Sequence, residues 1–264
     1  MTGRYITSEE FWNNFAEEFI RRVMRDRDIW KFTEWQLSRI FVKKGDTVLD
    51  LGCGFGRLTI PLAERGCIVY AVDQCKKLLR YLEQEVENRK LNDRVIIIEG
   101  RWEKLEPGKD IPRKVKTTIA SHSIEVEDLV QALRLIIDVT ERNAHIFDDY
   151  MRTMTIEYED IVRTIFRDVV GLYPSTIAVI YFTLVHLGVY PNVETYIRRY
   201  RVKVKSIDEV IERRLGKFLP AHIEEVRKII IERLEKCIIE KDQDGIVLLL
   251  NRPIGHVWWF SKQV

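Results

Sequence analysis

Between residues 47 and 147, short apolar runs of four to six residues alternate with longer segments in which apolar residues recur every three or four positions. The short runs are typical of buried strands and the longer segments of amphipathic helices. The predicted strands are Thr47–Leu51, Cys67–Val72, Val95–Glu99, Thr117–Ala120 and Ala144–Phe147. The predicted helices are Arg57–Arg65, Cys75–Lys90 and Glu125–Val139. This alternation predicts an α/β fold with a mostly parallel sheet.

The pattern changes on both sides of this region. Phe11, Phe15 and Phe19 lie four residues apart, which predicts a helix that begins near Ser8 and packs an aromatic face against the sheet. Beyond Tyr150 we predict helices at Thr155–Val170, Ser175–Leu187, Ser206–Leu215 and Ala221–Glu240, a break at Gly171–Pro174, and strands at Val193–Lys205, Ile246–Leu250 and His256–Phe260. No repeat or linker separates these segments, so we predict a single domain over residues 1–264. It comprises a helical cap at 1–45, a core at 46–150, and helical insertions with the last strands at 151–264.

A glycine-rich loop follows the first predicted strand, with glycines at 52, 54 and 56. Alternate glycines allow a sharp turn and let a ligand lie against the backbone. Arg57 takes the place of the third glycine of G-x-G-x-x-G, and Asp50 precedes the loop. A carboxylate there repels the pyrophosphate of NAD and attracts a cationic amino acid group. Asp73, after the second strand, can accept hydrogen bonds from both hydroxyls of a ribose.

This arrangement resembles the class I S-adenosylmethionine-dependent methyltransferases, well over residues 40 to 150 and in outline elsewhere. The resemblance implies a Rossmann-like α/β fold whose seven-stranded mixed sheet has the order 3-2-1-4-5-7-6, with an antiparallel hairpin as its last two strands. It also implies S-adenosylmethionine as the cofactor, bound by the core at 46–150. A plain strand-to-helix turn at the glycines, and a plain helix N-cap at Asp73, are the structural alternatives.

The positions that this resemblance implies for cofactor binding are Asp50, Gly52, Cys53, Gly54, Asp73, Gln74, Arg101, Trp102 and Ser121. Arg101 stands where the family usually has an acid that holds the adenine amino group, so we expect backbone groups near Trp102 to replace that contact. Cys53 has no neighbouring histidine and no metal-ligand spacing. We therefore expect it to contribute its backbone N–H rather than a nucleophilic thiol.

Methyl transfer from a sulfonium is an in-line displacement, to which proximity and alignment can contribute ~7–11 kcal/mol without any metal. A base is needed only if the acceptor must lose a proton. His122, just after the fourth strand, is the predicted catalytic residue, and packing beside the cofactor is its alternative role. The sequence Ser121–Ile124 lacks the Pro-Pro-aromatic motif of base N-methylating enzymes and the Pro-Cys pair of RNA cytosine enzymes. This favours a small-molecule acceptor.

The predicted acceptor contacts are Trp12, Tyr150, Tyr181 and His186, with Asp148 and Asp149 as further candidates. Trp12 either packs within the aromatic face or closes over the cofactor. Basic residues in the strand segment 198–205 leave RNA or protein open as an acceptor. An alternative of another class is a module that binds S-adenosylmethionine and transfers nothing.

The amino-acid composition argues against several classes of function. The formal net charge of +2 is too small to demand nucleic acid. Four cysteines without C-x-x-C spacing predict neither zinc nor a disulfide framework. The sequence has no signal pattern and no apolar run of membrane-spanning length, so we expect a cytoplasmic protein without a membrane partner. Abundant Lys, Arg, Glu, Ile and Val are typical of a thermophile.

Overall fold

A computed structural model describes residues 9–150, 176–214 and 223–261. The helices in these residues are α1 (Glu9–Arg25), α2 (Arg27–Arg39), α3 (Thr59–Glu64), α4 (Lys76–Asn88), α5 (Leu129–Val139), α6 (Thr176–His186), α7 (Ile207–Arg214) and α8 (Ile223–Glu235). The strands are β1 (Thr47–Leu51), β2 (Ile68–Asp73), β3 (Val95–Glu99), β4 (Val115–Ser121), β5 (Thr140–Asp149), β6 (Asn192–Val204), β7 (Ile238–Asp242) and β8 (Gly245–Phe260). A short 3-10 helix spans Trp102–Lys104.

The described strands form one mixed sheet in the order β3-β2-β1-β4-β5-β8-β6, with β7 paired to β8. β1 lies parallel between β2 and β4, and four of its five residues are buried. Leu51 pairs with Val72 on one side and with Ala120 on the other, so these three strands end at one edge of the sheet. The predicted fold is confirmed, with β8 in the place of strand 7 and β7 as an additional strand.

Capping chemistry sets several helix boundaries. Asp26 caps α2, because its side chain accepts hydrogen bonds from the backbone N–H groups of Asp28 and Ile29. The predicted helix Glu125–Val139 begins only at Leu129, because Asp128 accepts a hydrogen bond from the Gln131 N–H at 2.9 Å. A cap inside the predicted helix therefore marks its true start.

The chain divides into two compact units. The first comprises Met1–Asp148, Ile180–Glu194 and Gly255–Val264, and the second comprises Asp149–Val179 and Thr195–Ile254. The first contains the parallel strands β1 to β4. The second has its own buried apolar cluster, formed by Val210, Ile211, Ile230, Leu234, Ile246, Leu248 and Leu250. Organisation as a single domain stays a prediction.

Two predictions for the C-terminal part are wrong. The segments Ile246–Leu250 and His256–Phe260 are not two strands, because β8 runs without interruption through Pro253. The predicted helix Ala221–Glu240 ends at Glu235, and β7 forms a hairpin with β8 instead. A turn closes this hairpin, in which Asp242 accepts the Asp244 N–H at 2.8 Å. The predicted helix Thr155–Val170 and the break Gly171–Pro174 lie outside the described residues.

Candidate functional site

The glycine loop begins where β1 ends. Gly52, Gly54 and Gly56 have φ values of 72°, 57° and 91°, in the left-handed region that favours glycine. The N–H groups of Gly52 and Cys53 both donate to Val72 O, at 2.8 and 2.9 Å, which ties the loop to the end of β2. A Cβ on Gly52 would lie 2.3 Å from Ser123 Cβ. The loop therefore needs glycine for both its conformation and its packing.

Asp73, the last residue of β2, holds this loop. Its Oδ2 accepts the Gly54 N–H at 2.8 Å, and its Oδ1 accepts the Cys75 N–H at 2.8 Å at the start of α4. Burial raises the pKa of Asp73, and hydrogen bonds from the Cys75, Gly54 and Gln74 backbone oppose this. Each carboxylate oxygen has further lone pairs that could accept a ligand hydroxyl. The alternative of a plain helix N-cap at Asp73 is wrong, because the N-cap residue of α4 is Cys75 and no side chain caps this helix. Holding the loop and binding a ribose are compatible roles for Asp73.

Asp50 lies beneath the loop. Its side chain is buried, and its Oδ2 accepts a hydrogen bond from the Thr59 hydroxyl at 2.6 Å. Burial raises the pKa of Asp50 to about 6, although Thr59 and Arg57 act in the opposite direction. The Cys53 thiol is also buried, and its pKa is raised well above its ordinary value by burial and by the nearby Asp73 and Asp50. A thiol in this state is a poor nucleophile.

Arg57 joins α2 to the end of β4, a role that sequence reasoning missed. Its Nη1 donates to Thr33 Oγ1 and to Gln36 Oε1, both at 2.6 Å, and its Nη2 donates to Ser121 Oγ at 3.1 Å. Gln36 Nε2 also donates to Ser121 Oγ at 2.9 Å. The guanidinium lies 5.5 Å from the centre of the Phe32 ring. The available signal was the pair of polar residues, Thr33 and Gln36, on the buried face of a predicted cap helix.

His122 follows β4 in a strained conformation. Its φ is +56°, which is uncommon for a residue other than glycine, and its N–H donates to Phe147 O at 2.8 Å. The ring is exposed and meets the Phe32 ring edge-on at 5.8 Å. Its Nδ1 lies 3.4 Å from Ser121 Oγ. Strain of this kind is often retained at functional sites.

Trp102 and Arg101 follow the end of β3. The Trp102 ring is buried, and its Nε1 donates to Ser123 O at 3.1 Å. The Arg101 guanidinium donates to Glu103 at 2.8 Å and to Glu127 at 2.9 Å. These ion pairs engage the side chain of Arg101. A contact between the adenine and backbone groups near Trp102 stays a prediction.

Helix α1 packs on the glycine loop through aromatic rings. Phe55, within the loop, lies 5.9 Å from the Phe19 ring and 5.8 Å from the Tyr81 ring of α4. Trp12 is half-buried and lies 5.5 Å from Phe19. The aromatic face of α1 therefore contacts the glycine loop, whereas the sequence predicted that it packs against the sheet.

The remaining predicted acceptor residues lie in different parts of the chain. Tyr181 and His186 belong to the first unit, where Tyr181 is half-buried and His186 is exposed. Tyr150 belongs to the second unit, and its hydroxyl lies 2.7 Å from the Thr195 hydroxyl. Asp148 and Asp149 are buried, and Asp149 forms an ion pair with Arg252. Their contact with an acceptor stays a prediction.

Within residues 9–150, 176–214 and 223–261, no group of three or more His, Cys, Asp or Glu side chains could hold a metal ion. In the same ranges, no helix is long and apolar enough to cross a membrane.

Comparison with known proteins finds similarity to methyltransferases over part of the chain. Residues 48–143 match a family model described as a methyltransferase domain. The ribosomal protein L11 methyltransferase of Campylobacter concisus is 41% identical over 58 residues, which are 22% of this chain and 20% of that protein. Human glycine N-methyltransferase is 33% identical over 89 residues, which are 33% of this chain and 30% of that protein. The matches thus span less than a third of these relatives.

A solved structure extends the likeness in fold over nearly the whole chain. Magnesium protoporphyrin IX methyltransferase from Synechocystis PCC 6803, crystallised with bound SAM, superposes with a TM-score of 0.55. The superposition covers 96% of this chain and 97% of that protein, at 14% sequence identity. At this level of identity the likeness concerns the fold.

Proposed function

We propose that this chain, whose residues 48–143 match a methyltransferase domain, is an S-adenosylmethionine-dependent methyltransferase acting on a small molecule. The observation that carries the proposal is the position of Asp73. This carboxylate ends β2, hydrogen-bonds to the backbone N–H of Gly54, and stands beside a tight loop whose three glycines all have positive φ. Such a site offers an acceptor for ribose hydroxyls at the carboxyl ends of the parallel strands, where ligands bind in folds of this class.

S-adenosylmethionine supplies the methyl group on a sulfonium that becomes a neutral thioether when the methyl leaves. The chain's own residues bind and orient the reactants. Asp73 holds the ribose, and the buried Asp50 places negative charge beneath the loop, where a cationic amino acid group is favoured. Arg57 fixes α2 against Ser121, which positions the loop containing His122. Alignment of the acceptor with the methyl is the main contribution that this geometry can make.

The charges of the second unit support a small-molecule acceptor over RNA. Two basic residues of β6 form ion pairs with acids of β7, Arg201 with Glu240 at 3.4 Å and Lys203 with Asp242 at 3.2 Å. These pairs are exposed, so they contribute little stability. They nevertheless neutralise part of the basic strand, and the whole chain has a net charge of only +2. Long-range attraction of a polyanion is correspondingly weak.

Isothermal titration calorimetry tests the cofactor. We expect S-adenosylmethionine and S-adenosylhomocysteine to bind, and NAD not to bind, because the buried Asp50 disfavours a pyrophosphate. Preferential binding of NAD would overturn the proposal. Transfer is then measured with isotopically labelled S-adenosylmethionine on separate small-metabolite, RNA and protein fractions. Label in the small-metabolite fraction supports the proposal. Label in the RNA or protein fraction would show that the acceptor is RNA or protein and not a small molecule. Binding without any transfer would indicate a non-catalytic module.

A further inference from the structure

A chain of hydrogen-bonded polar side chains crosses the first unit, with two buried histidines in its middle and the half-buried Glu194 and Arg39 at one end. His145 Nδ1 lies 2.9 Å from His256 Nε2, and His145 Nε2 lies 2.7 Å from Asn143 Oδ1. His256 Nδ1 lies 3.1 Å from Glu194 Oε1, which also accepts a hydrogen bond from Arg39 Nε at 2.8 Å. Both imidazole rings are buried. Polar groups at this depth require hydrogen-bond partners, so the direction of each bond can be worked out.

The direction is fixed at the Asn143 end. Asn143 Nδ2 donates to the carbonyl of Phe41 at 3.0 Å, which orients its Oδ1 towards His145. An amide oxygen only accepts, so His145 Nε2 carries a hydrogen. Burial, and secondarily the neighbouring His256, lower the pKa of His145 well below its ordinary value, and the ring is neutral. Its Nδ1 is therefore an acceptor, and His256 Nε2 must carry the hydrogen that lies between the two rings.

One contact then remains, between His256 Nδ1 and Glu194 Oε1. A neutral His256 with a hydrogen on Nε2 would direct a lone pair at the carboxylate oxygen, and two acceptors 3.1 Å apart repel each other. A single additional proton resolves this conflict. Because Arg39 also donates to Glu194 Oε1, the carboxylate form of Glu194 is favoured, and the proton belongs on His256.

The surroundings of His256 suit a buried cation. Its ring stacks on Phe147 with centroids 4.2 Å apart and on Trp258 with centroids 4.6 Å apart. Aromatic faces stabilise a cation held against them. The carbonyl of the same Phe147 accepts the N–H of the strained His122. The stack therefore connects His256 to the loop that contains the predicted catalytic residue.

We infer that His256 and Glu194 share one buried proton at neutral pH, and that His256 is thereby a positioning residue for the His122 loop. The positioning role rests on the proposed function, whereas the shared proton does not. Among the described residues, the titratable or charged groups that face His256 are Glu194 of β6, Arg39 of α2 and His145 of β5.

Burial and these neighbouring groups have opposing effects on the pKa of His256. Burial lowers the pKa of the His256 ring, Glu194 raises it through its hydrogen bond and its charge, and Arg39 lowers it, with a balance at about 4 because burial outweighs Glu194. A ring left neutral by burial would, however, place two acceptors 3.1 Å apart at the Glu194 contact. The hydrogen-bond directions therefore favour the protonated ring, because only a proton between Nδ1 and the carboxylate satisfies both atoms.

The first test is nuclear magnetic resonance of the imidazole nitrogens in the full-length protein, with His256→Gln for assignment. At neutral pH we expect both nitrogens of His256 to be protonated. In Glu194→Gln the side-chain amide can donate to Nδ1, so His256 is expected to become neutral with only Nε2 protonated. Glu99→Gln, an exposed acid, is the control and leaves the signals unchanged. An unprotonated Nδ1 in the wild-type protein at neutral pH would overturn the inference.

The second test follows unfolding and transfer as a function of pH. The two protonation states of His256 predict opposite signs: a ring that keeps the shared proton loses its stabilisation as pH rises above the ordinary histidine pKa of 6.5, whereas a pKa lowered by burial to about 4 makes stability fall as pH decreases from 6.5 towards 4. The wild-type protein is expected to lose stability and transfer rate together on this alkaline side, at unchanged cofactor affinity. Glu194→Gln should lack this loss, and an identical pH profile in the variant would refute the positioning role. The nuclear magnetic resonance and unfolding measurements detect the proton shared by His256 and Glu194 even if no acceptor is methylated.

Discussion

Replacing Asp50 by Asn is expected to stabilise the fold while weakening cofactor binding. Asp50 is 2% exposed, and burial raises the pKa of its carboxyl from 3.8 to about 6. At ~1.36 kcal/mol per unit, this shift of about two units corresponds to roughly 3 kcal/mol, the free-energy cost of keeping the carboxylate charged in the folded state. The amide oxygen of the variant can still accept the hydrogen bond from Thr59. The variant thus loses the charge and keeps the contact.

The sign of the pH dependence follows from the raised pKa. The stabilisation associated with protonated Asp50 is fully present below the unfolded value of 3.8 and is lost as pH rises through about 6. Urea denaturation across this range should therefore show an advantage for Asp50→Asn that grows with pH and reaches at most ~3 kcal/mol at neutral pH. Binding of S-adenosylhomocysteine, measured by calorimetry, should weaken because the negative charge beneath its ammonium group is gone.

Asp46→Asn is the matched control, because it also replaces an aspartate by asparagine and lies just before β1, the strand that contains Asp50. Burial alone would raise the pKa of Asp46, but the ion pair with Arg142 and the hydrogen bond from the Lys43 backbone outweigh burial and lower it. Removing this charge is therefore expected to destabilise the protein at neutral pH. The reasoning is refuted if Asp50→Asn is less stable than wild type at neutral pH, or if both variants shift stability in the same direction.

Three further outcomes are expected. Asp73→Asn directs an amide NH2 at a backbone N–H, and should cost ~1.5–3 kcal/mol of stability and weaken nucleoside binding in urea denaturation and calorimetry. Glu99→Gln, exposed on the neighbouring strand, should change neither stability nor binding, and unchanged binding in Asp73→Asn would leave Asp73 only the role of holding the glycine loop. Gly52→Ala should abolish cofactor binding and lower the melting temperature, because its Cβ would collide with Ser123; a variant that binds normally would show that the loop can shift. RNA binding should be weak and lost at moderate salt in electrophoretic shift assays, whereas tight binding that Arg201→Glu removes would favour an RNA acceptor.

The core of the fold could be predicted because its signals are local. Thr47–Leu51 and Val95–Glu99 are strands with the predicted boundaries, since short apolar runs between polar turns are typical of buried strands. The C-terminal strand was predicted less well because Pro253 and Gly255 are typical of a break. In the structure β8 continues through both residues, which no local rule indicates.

The candidate site was predictable only where its residues adjoin the glycine loop. The hydrogen bonds of Arg57 reach 21 to 64 positions along the chain, and His145 meets His256 across 111 positions. A single sequence gives the chemistry of such residues but not their partners. His145 and His256 lie in apolar strands, where a histidine is most simply interpreted as a core residue. Their directional hydrogen bonds emerge only when the strands are placed side by side.

The two acids at the loop have a further consequence for binding. Burial raises the pKa of both Asp50 and Asp73, and the charge of Asp73 raises that of Asp50 further. A ligand with an ammonium or sulfonium group favours the charged form of Asp50, so its binding should lower that pKa and release a proton. Near the pKa of about 6, we expect the calorimetric enthalpy of S-adenosylmethionine binding to depend on the ionisation enthalpy of the buffer, and to depend on it less at alkaline pH. Adenosine, which keeps the ribose but lacks the cationic groups, is the control. Equal proton release by adenosine would show that the nucleoside, and not the amino acid group, changes the ionisation of Asp50.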